Sequence, residues 1–146
     1  MRVEPLATHA EHRPLESLGR YLVVALFVLH GLIHAMGFAA VWQLGQFNAV
    51  SNIPTLPPHL TAASPLVAGL GILWLAAALI FLAAAAGLAM SSPWWRTAAA
   101  VAALLSLLLC IMWWNDAPFG AVVDIAILVG LTISTWLIRA TRPKGA

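Results

Sequence analysis

Four apolar runs, each long enough to span a bilayer, are separated by one long and two short breaks along this chain: Tyr21–Leu44, Pro65–Met90, Thr97–Trp114 and Phe119–Ile138. A hydrocarbon core of about 30 Å takes ~20 helical residues at 1.5 Å each. Each run meets that length within tilt. Lipid offers no partner to backbone N–H and C=O groups, so the spans must be helices. The pattern predicts an all-α membrane protein, an antiparallel bundle of four transmembrane helices. The breaks carry start and stop signals. Ser64–Pro65 reads as a cap followed by a proline start, and Ser91–Ser92–Pro93 as a stop. Asn115, Asp116 and Pro118 form the turn into the fourth run, with Asp116 placed to cap it.

Charge orients the pattern. All seven Lys and Arg fall in segments that one threading puts on the same side. Arg2, Arg13 and Arg20 precede the first run, Arg96 lies between the second and third, and Arg139, Arg142 and Lys144 follow the fourth. That asymmetry predicts both termini in the cytoplasm, N-in/C-in. The expected organisation is a polar cytoplasmic N-terminus over 1–20, a transmembrane domain over 21–139 and a basic tail over 140–146. The N-terminal stretch, with Glu4, Pro5, Glu11, Pro14 and Glu16, is expected to be poorly ordered. The first run exceeds a signal h-region of about 7–15 residues, so it reads as an uncleaved signal-anchor.

Composition agrees. The chain has 146 residues, 62% hydrophobic and 8% charged, against about 25% charged in a soluble domain. The net charge of +2 is what topology requires, so the expected partner is the lipid bilayer and not nucleic acid. Cys110 is the only cysteine. An intramolecular disulfide and a CxxC redox pair are therefore excluded, and Cys110 is expected to pack as a small hydrophobe.

Trp94, Trp95 and Trp136 at the cytoplasmic ends, and Trp42, Trp113 and Trp114 at the opposite ends, read as interfacial belts. Trp74 falls near mid-membrane, packed in the bundle or lining a cavity. Stripes of small residues predict close helix contacts: Ala98, Ala102, Ser106 and Cys110 in the third run, Ala126, Gly130 and Ser134 in the fourth, Ala83 and Gly87 in the second. The long connection Gly45–Ser64, rich in proline, is expected to fold back over the outer mouth, as a simple loop or as a lid.

His30 and His34 are the main chemical candidates. They lie four apart and share one helix face. Counted from Arg20, His30 sits ~15 Å and His34 ~21 Å into the membrane; counted from Arg139, Asp124 sits ~22 Å in. An ionisable group at that depth costs about 2.5–3.5 kcal/mol and seeks a partner. The matched depth predicts a His34–Asp124 hydrogen bond or ion pair, with His30 one turn deeper. Gly31 and Gly37 would thin the helix there, leaving space for a ligand or a close helix. Trp74, Asn48 and Asp116 are the candidate ligand-binding residues, with Asn115 also near the mouth.

Several readings of this cluster stay open. It is a structural pin between helices, or a catalytic or binding site in which His34 acts as acid or base beside Asp124. A metal site lacks an obvious third ligand beyond Asp124 and lacks the HExxH context. Haem fits poorly, since His residues four apart on one helix cannot supply both axial ligands and His59 lies in the outer loop. No cofactor is assigned. His9 and His12 are expected to be solvated. A proton relay is open, but no inverted repeat of broken apolar segments supports a carrier.

In size, in N-in/C-in layout, in Arg20–Tyr21 followed by His30–Gly31–Leu32–Ile33–His34, and in Gly120 followed by Asp124, the chain resembles the DoxX-like small four-helix membrane proteins. The resemblance implies the bacterial cytoplasmic (inner) membrane, a four-helix bundle and roles linked to redox or stress complexes. It assigns no residue roles. The related sterol-isomerase and sigma-2-like bundles hold several intramembrane acids, which this chain lacks. The expectation is a protein that binds a small apolar or amphipathic molecule or serves as an accessory subunit of a membrane complex. The alternative is a membrane enzyme using His34, Asp124 and His30 in acid-base chemistry on a lipid-like substrate.

Overall fold

The computed structural model describes residues 12–45 and 50–141. The expectations made for residues 1–11, for Asn48 and for the tail residues 142–146 lie outside the described residues. Four helices follow one another: α1 (His12–Val41), α2 (Pro65–Ala89), α3 (Trp95–Met112) and α4 (Pro118–Ala140). Among the described residues there is no strand. Each helix is long and apolar enough to cross a membrane.

Local chemistry sets the ends. Prolines open α2 and α4, where a missing N–H costs nothing. Ser64 is extended at the start of α2, but its side chain makes no capping bond; its carbonyl accepts from Ala68 N. Asp116 does not cap α4 as expected. Its Oδ2 accepts from Ser51 N at 3.1 Å, because the loop reaches it first. α1 and α2 both stop on a left-handed residue, Gln43 (φ 53°) and Ser91 (φ 58°). In each case the next N–H reaches back to close the last turn, Leu44 to Ala39 and Ser92 to Gly87. α1 extends back to His12, and Arg20 Nη1 donates to Ser91 Oγ at 2.8 Å. That bond fastens the start of the first apolar run to the turn after α2.

The helices pack in sequence, α1 on α2, α2 on α3 and α3 on α4. No comparable packing joins α1 to α4, so a seam runs between them. The buried positions of α2 recur at alternating steps of three and four: Val67, Leu70, Trp74, Ala77, Phe81, Ala84 and Leu88. That spacing keeps one seam facing its neighbours. Two apolar layers result. One centres on Phe27, Phe81 and Leu88. The other centres on Val41, Leu70, Trp74 and Trp113. Between them lie the polar side chains His30, His34, Ser106 and Asp124, all four buried.

Glycine decides how close α1 and α2 come. A Cβ at Gly31 would meet the Ala78 carbonyl at 3.1 Å, and one at Gly37 would meet the Trp74 ring at 2.4 Å. The space those glycines leave is filled by α2. The small-residue stripes divide. Ala102, Ser106 and Cys110 are buried, and Trp94 covers Gly87. Ala83, Ala126 and Gly130 are exposed, and the last two border the α1–α4 seam instead of a helix contact.

The tryptophans divide too. Trp42, Trp94, Trp114 and Trp136 face outward, as interfacial residues do. Trp113 is fully buried and donates through Nε1 to Ser51 O at 2.8 Å. It anchors the loop and is not part of a belt. Leu56 N bonds Met112 O at 2.9 Å, so the described part of the connection, from Val50 on, is fastened across the α3–α4 turn. Leu22, Leu29, Leu79, Leu104 and Ile133 point outward while the polar groups sit inside. That distribution suits lipid and would be untenable in water.

Candidate functional site

Asp124 has no exposed surface, and its two oxygens are shared between two donors. His30 Nε2–H donates to Oδ1 at 3.0 Å, and Ser106 Oγ–H donates to Oδ2 at 2.5 Å. Both bonds are charge-assisted, the stronger kind in a medium of low dielectric. α1 thereby supplies His30, α3 supplies Ser106 and α4 supplies Asp124. The predicted partner of Asp124 was His34; the structure places His30 there instead. The depth count assumed that Arg20 and Arg139 mark one plane. His30 lies ten residues from Arg20 and Asp124 fifteen from Arg139, so the two arginines are offset by roughly five residues of rise, ~7.5 Å.

His34 turns elsewhere. Its Nδ1–H donates to the His30 backbone carbonyl at 2.9 Å, and its ring lies 4.9 Å from Trp74 and 4.7 Å from His30, centroid to centroid. Phe81 packs edge-on against His30 at 4.8 Å. His34 Nε2 and Trp74 Nε1 are buried, and each lacks a hydrogen-bond partner. Such atoms are costly in an apolar interior and call for an explanation.

The trio of Ser106, His30 and Asp124 is not a nucleophilic triad. In a triad one imidazole nitrogen takes the serine proton while the other is held by the carboxylate. Here Ser106 gives its proton to Asp124, and His30 presents the same Nε2 to Asp124 and, at 3.4 Å, to Ser106. The carboxylate is therefore the hub: Ser106 donates to it directly, and no imidazole stands between them. Among the described residues no group of three or more His, Cys, Asp or Glu converges to hold a metal ion.

A cavity of about 340 Å³ lies over this cluster. His30, His34, Trp74 and Cys110 form its inner wall, Ile33 and Met36 of α1 and Phe119 and Val123 of α4 flank it, and Val50 and Asp116 stand at one end. Of the sequence candidates, His30, His34, Trp74 and Asp116 thus line one space, while Asp124 lies beneath it, holding His30. A second cavity of about 470 Å³ continues the same seam beyond Val123, past Phe27, Ala126 and Gly130. A separate cleft of about 570 Å³ between α3 and α4 carries Arg96 and Arg139.

Ser106 was read in the sequence only as a packing residue. A signal for more was present: counted from Arg96, it lies ~15 Å deep, the depth that the count from Arg20 gives for His30. Fold and site together define a small integral membrane protein of four helices, with a His/Ser/Asp layer buried between two apolar layers. No protein-family model, curated protein or solved structure matches the chain.

Proposed function

We propose that this protein binds a small amphipathic molecule in the cavity between α1 and α4, which the molecule enters sideways from the bilayer. The observation that carries this reading is the cavity itself: a volume suited to a small ligand, apolar flanks, and two lining residues, His34 and Trp74, whose buried Nε2 and Nε1 lack partners. The gap between α1 and α4 supplies the route, since the other successive helix pairs are packed. An antiparallel N-in/C-in bundle in a bacterial inner membrane, of DoxX-like kind, is part of the same proposal. It is supported by the one-sided arginines and by the Arg20–Ser91 bond between the start of the first apolar run and the turn after α2.

Native mass spectrometry of protein purified in mild detergent tests it. The wild type is expected to carry an amphipathic adduct, and Val123→Trp, which fills the seam shared by both cavities, is expected to lose it. Wild type that is free of adduct and takes up none from added lipid extract would overturn the reading. A second reading is an enzyme in which His34 is the base, favoured by its unpartnered Nε2. A bound molecule recovered without deuterium after incubation in heavy water would sink that alternative.

A further inference from the structure

The two unpartnered atoms differ in kind, and the difference selects a headgroup. Trp74 Nε1–H can only donate. His34 Nδ1 faces a carbonyl, which can only accept, so Nδ1 carries the proton. In the uncharged ring Nε2 is then a bare acceptor. Both side chains are 1% exposed, both line the same cavity, and their rings lie 4.9 Å apart. A single ligand group that accepts from Trp74 and donates to His34 would satisfy both atoms. A ketone, ester or ether accepts but has no proton to give. A carboxylate likewise leaves His34 unmatched. An ammonium group has no lone pair for Trp74. A hydroxyl does both.

We propose that the ligand is a long-chain alcohol whose hydroxyl accepts from Trp74 Nε1–H and donates to His34 Nε2. Its apolar body passes Val123 and lies along the α1–α4 seam in the second cavity, against Phe27, Ala126 and Gly130. The Ser134 hydroxyl there already donates to Leu131 O at 2.9 Å, and apart from the Trp95 indole the rest of the wall is apolar, which suits a hydrocarbon chain. The His30–Asp124–Ser106 layer fixes the His30 carbonyl, which in turn fixes the ring of His34. This inference rests on the cavity-binding reading above and adds the chemistry of the head.

The test offers protein in nanodiscs three matched probes at equal mole fraction: hexadecan-1-ol, its methyl ether and hexadecane. Retained probe is counted by mass spectrometry after release. The alcohol is expected to be retained about tenfold over the other two, the ratio that one or two net hydrogen bonds supply. In Trp74→Phe the alcohol and the ether are expected to fall together towards hexadecane, since both accept from Nε1–H, while the alcohol keeps the advantage that its donation to His34 Nε2 gives. Equal retention of alcohol and ether overturns the hydroxyl assignment and leaves cavity binding standing. Retention of none of the three, or retention unaffected by Val123→Trp, overturns both. The wild-type comparison needs no variant, so a misfolded Trp74→Phe does not blunt it.

Discussion

His30 holds the polar layer together through one nitrogen, while His34, one turn away on the same face, is held by a backbone carbonyl. The two histidines are therefore unequal in what their loss exposes. Removing His30 leaves a carboxylate oxygen buried without a donor, and that costs more than losing the bond itself. His30→Phe and Asp124→Ala are each expected to destabilise by about 2–3 kcal/mol, and His34→Phe by about 1 kcal/mol or less. Reversible unfolding in detergent measures all three. In a double-mutant cycle, His30 and Asp124 should couple by about 1 kcal/mol or more, and His34 and Asp124 by far less. Equal costs for the two histidines would contradict the geometry. In a Cys110→Ala background, cysteines at positions 30 and 124 are likewise expected to cross-link more readily than cysteines at 34 and 124.

At the scale of the helix, α1 is shaped by what its glycines omit. Gly37 faces the ring of Trp74, which is wedged between His34 and Trp113. Gly69 of α2 faces open space. Gly37→Ala is expected to lower stability by about 1–3 kcal/mol through overpacking, and Gly69→Ala to be neutral or stabilising by up to about 1 kcal/mol. Melting midpoints of the two variants, side by side, check the contrast. At the end of α1, Gln43 occupies the left-handed position that glycine fills most cheaply. Gln43→Gly is expected to raise the midpoint, by the equivalent of about 1 kcal/mol; a lowered midpoint would mean the Gln43 side chain has a role of its own. The lengths of α2 to α4 could be read from hydropathy and from Pro65, Pro93 and Pro118. The backward extension of α1 to His12 could not, because polar residues outside the bilayer form helix or coil with little to choose between them.

Across the whole molecule, three sequential helix packings leave a fourth side open. The open side coincides with the cavities and with the small-residue stripe of α4. The basic residues predict an orientation with both termini on one side. A reporter fused after Ala146 is expected to be active only in the cytoplasm; periplasmic activity would reverse the threading. Trp113 shows how much of this scale was hidden. By position it belongs with Trp114 in a belt, yet it turns inward to hold Ser51. Both lie in the turn just after α3, where no helical period fixes direction, and nothing local says which of the two faces the loop.

The sequence by itself determined that this is an all-helical membrane protein with four spans, and that His30, His34 and Asp124 needed partners inside it. Both follow from solvation: apolar runs and buried ionisable groups are priced by the bilayer one residue at a time. Only the tertiary structure decided who partners whom. Asp124 met His30 and Ser106 instead of His34 because the stagger of α1 against α4 is set by packing along whole helices. A shift of one turn exchanges one histidine for the other. Packing also left His34 Nε2 and Trp74 Nε1 buried without partners, on two residues that line the cavity.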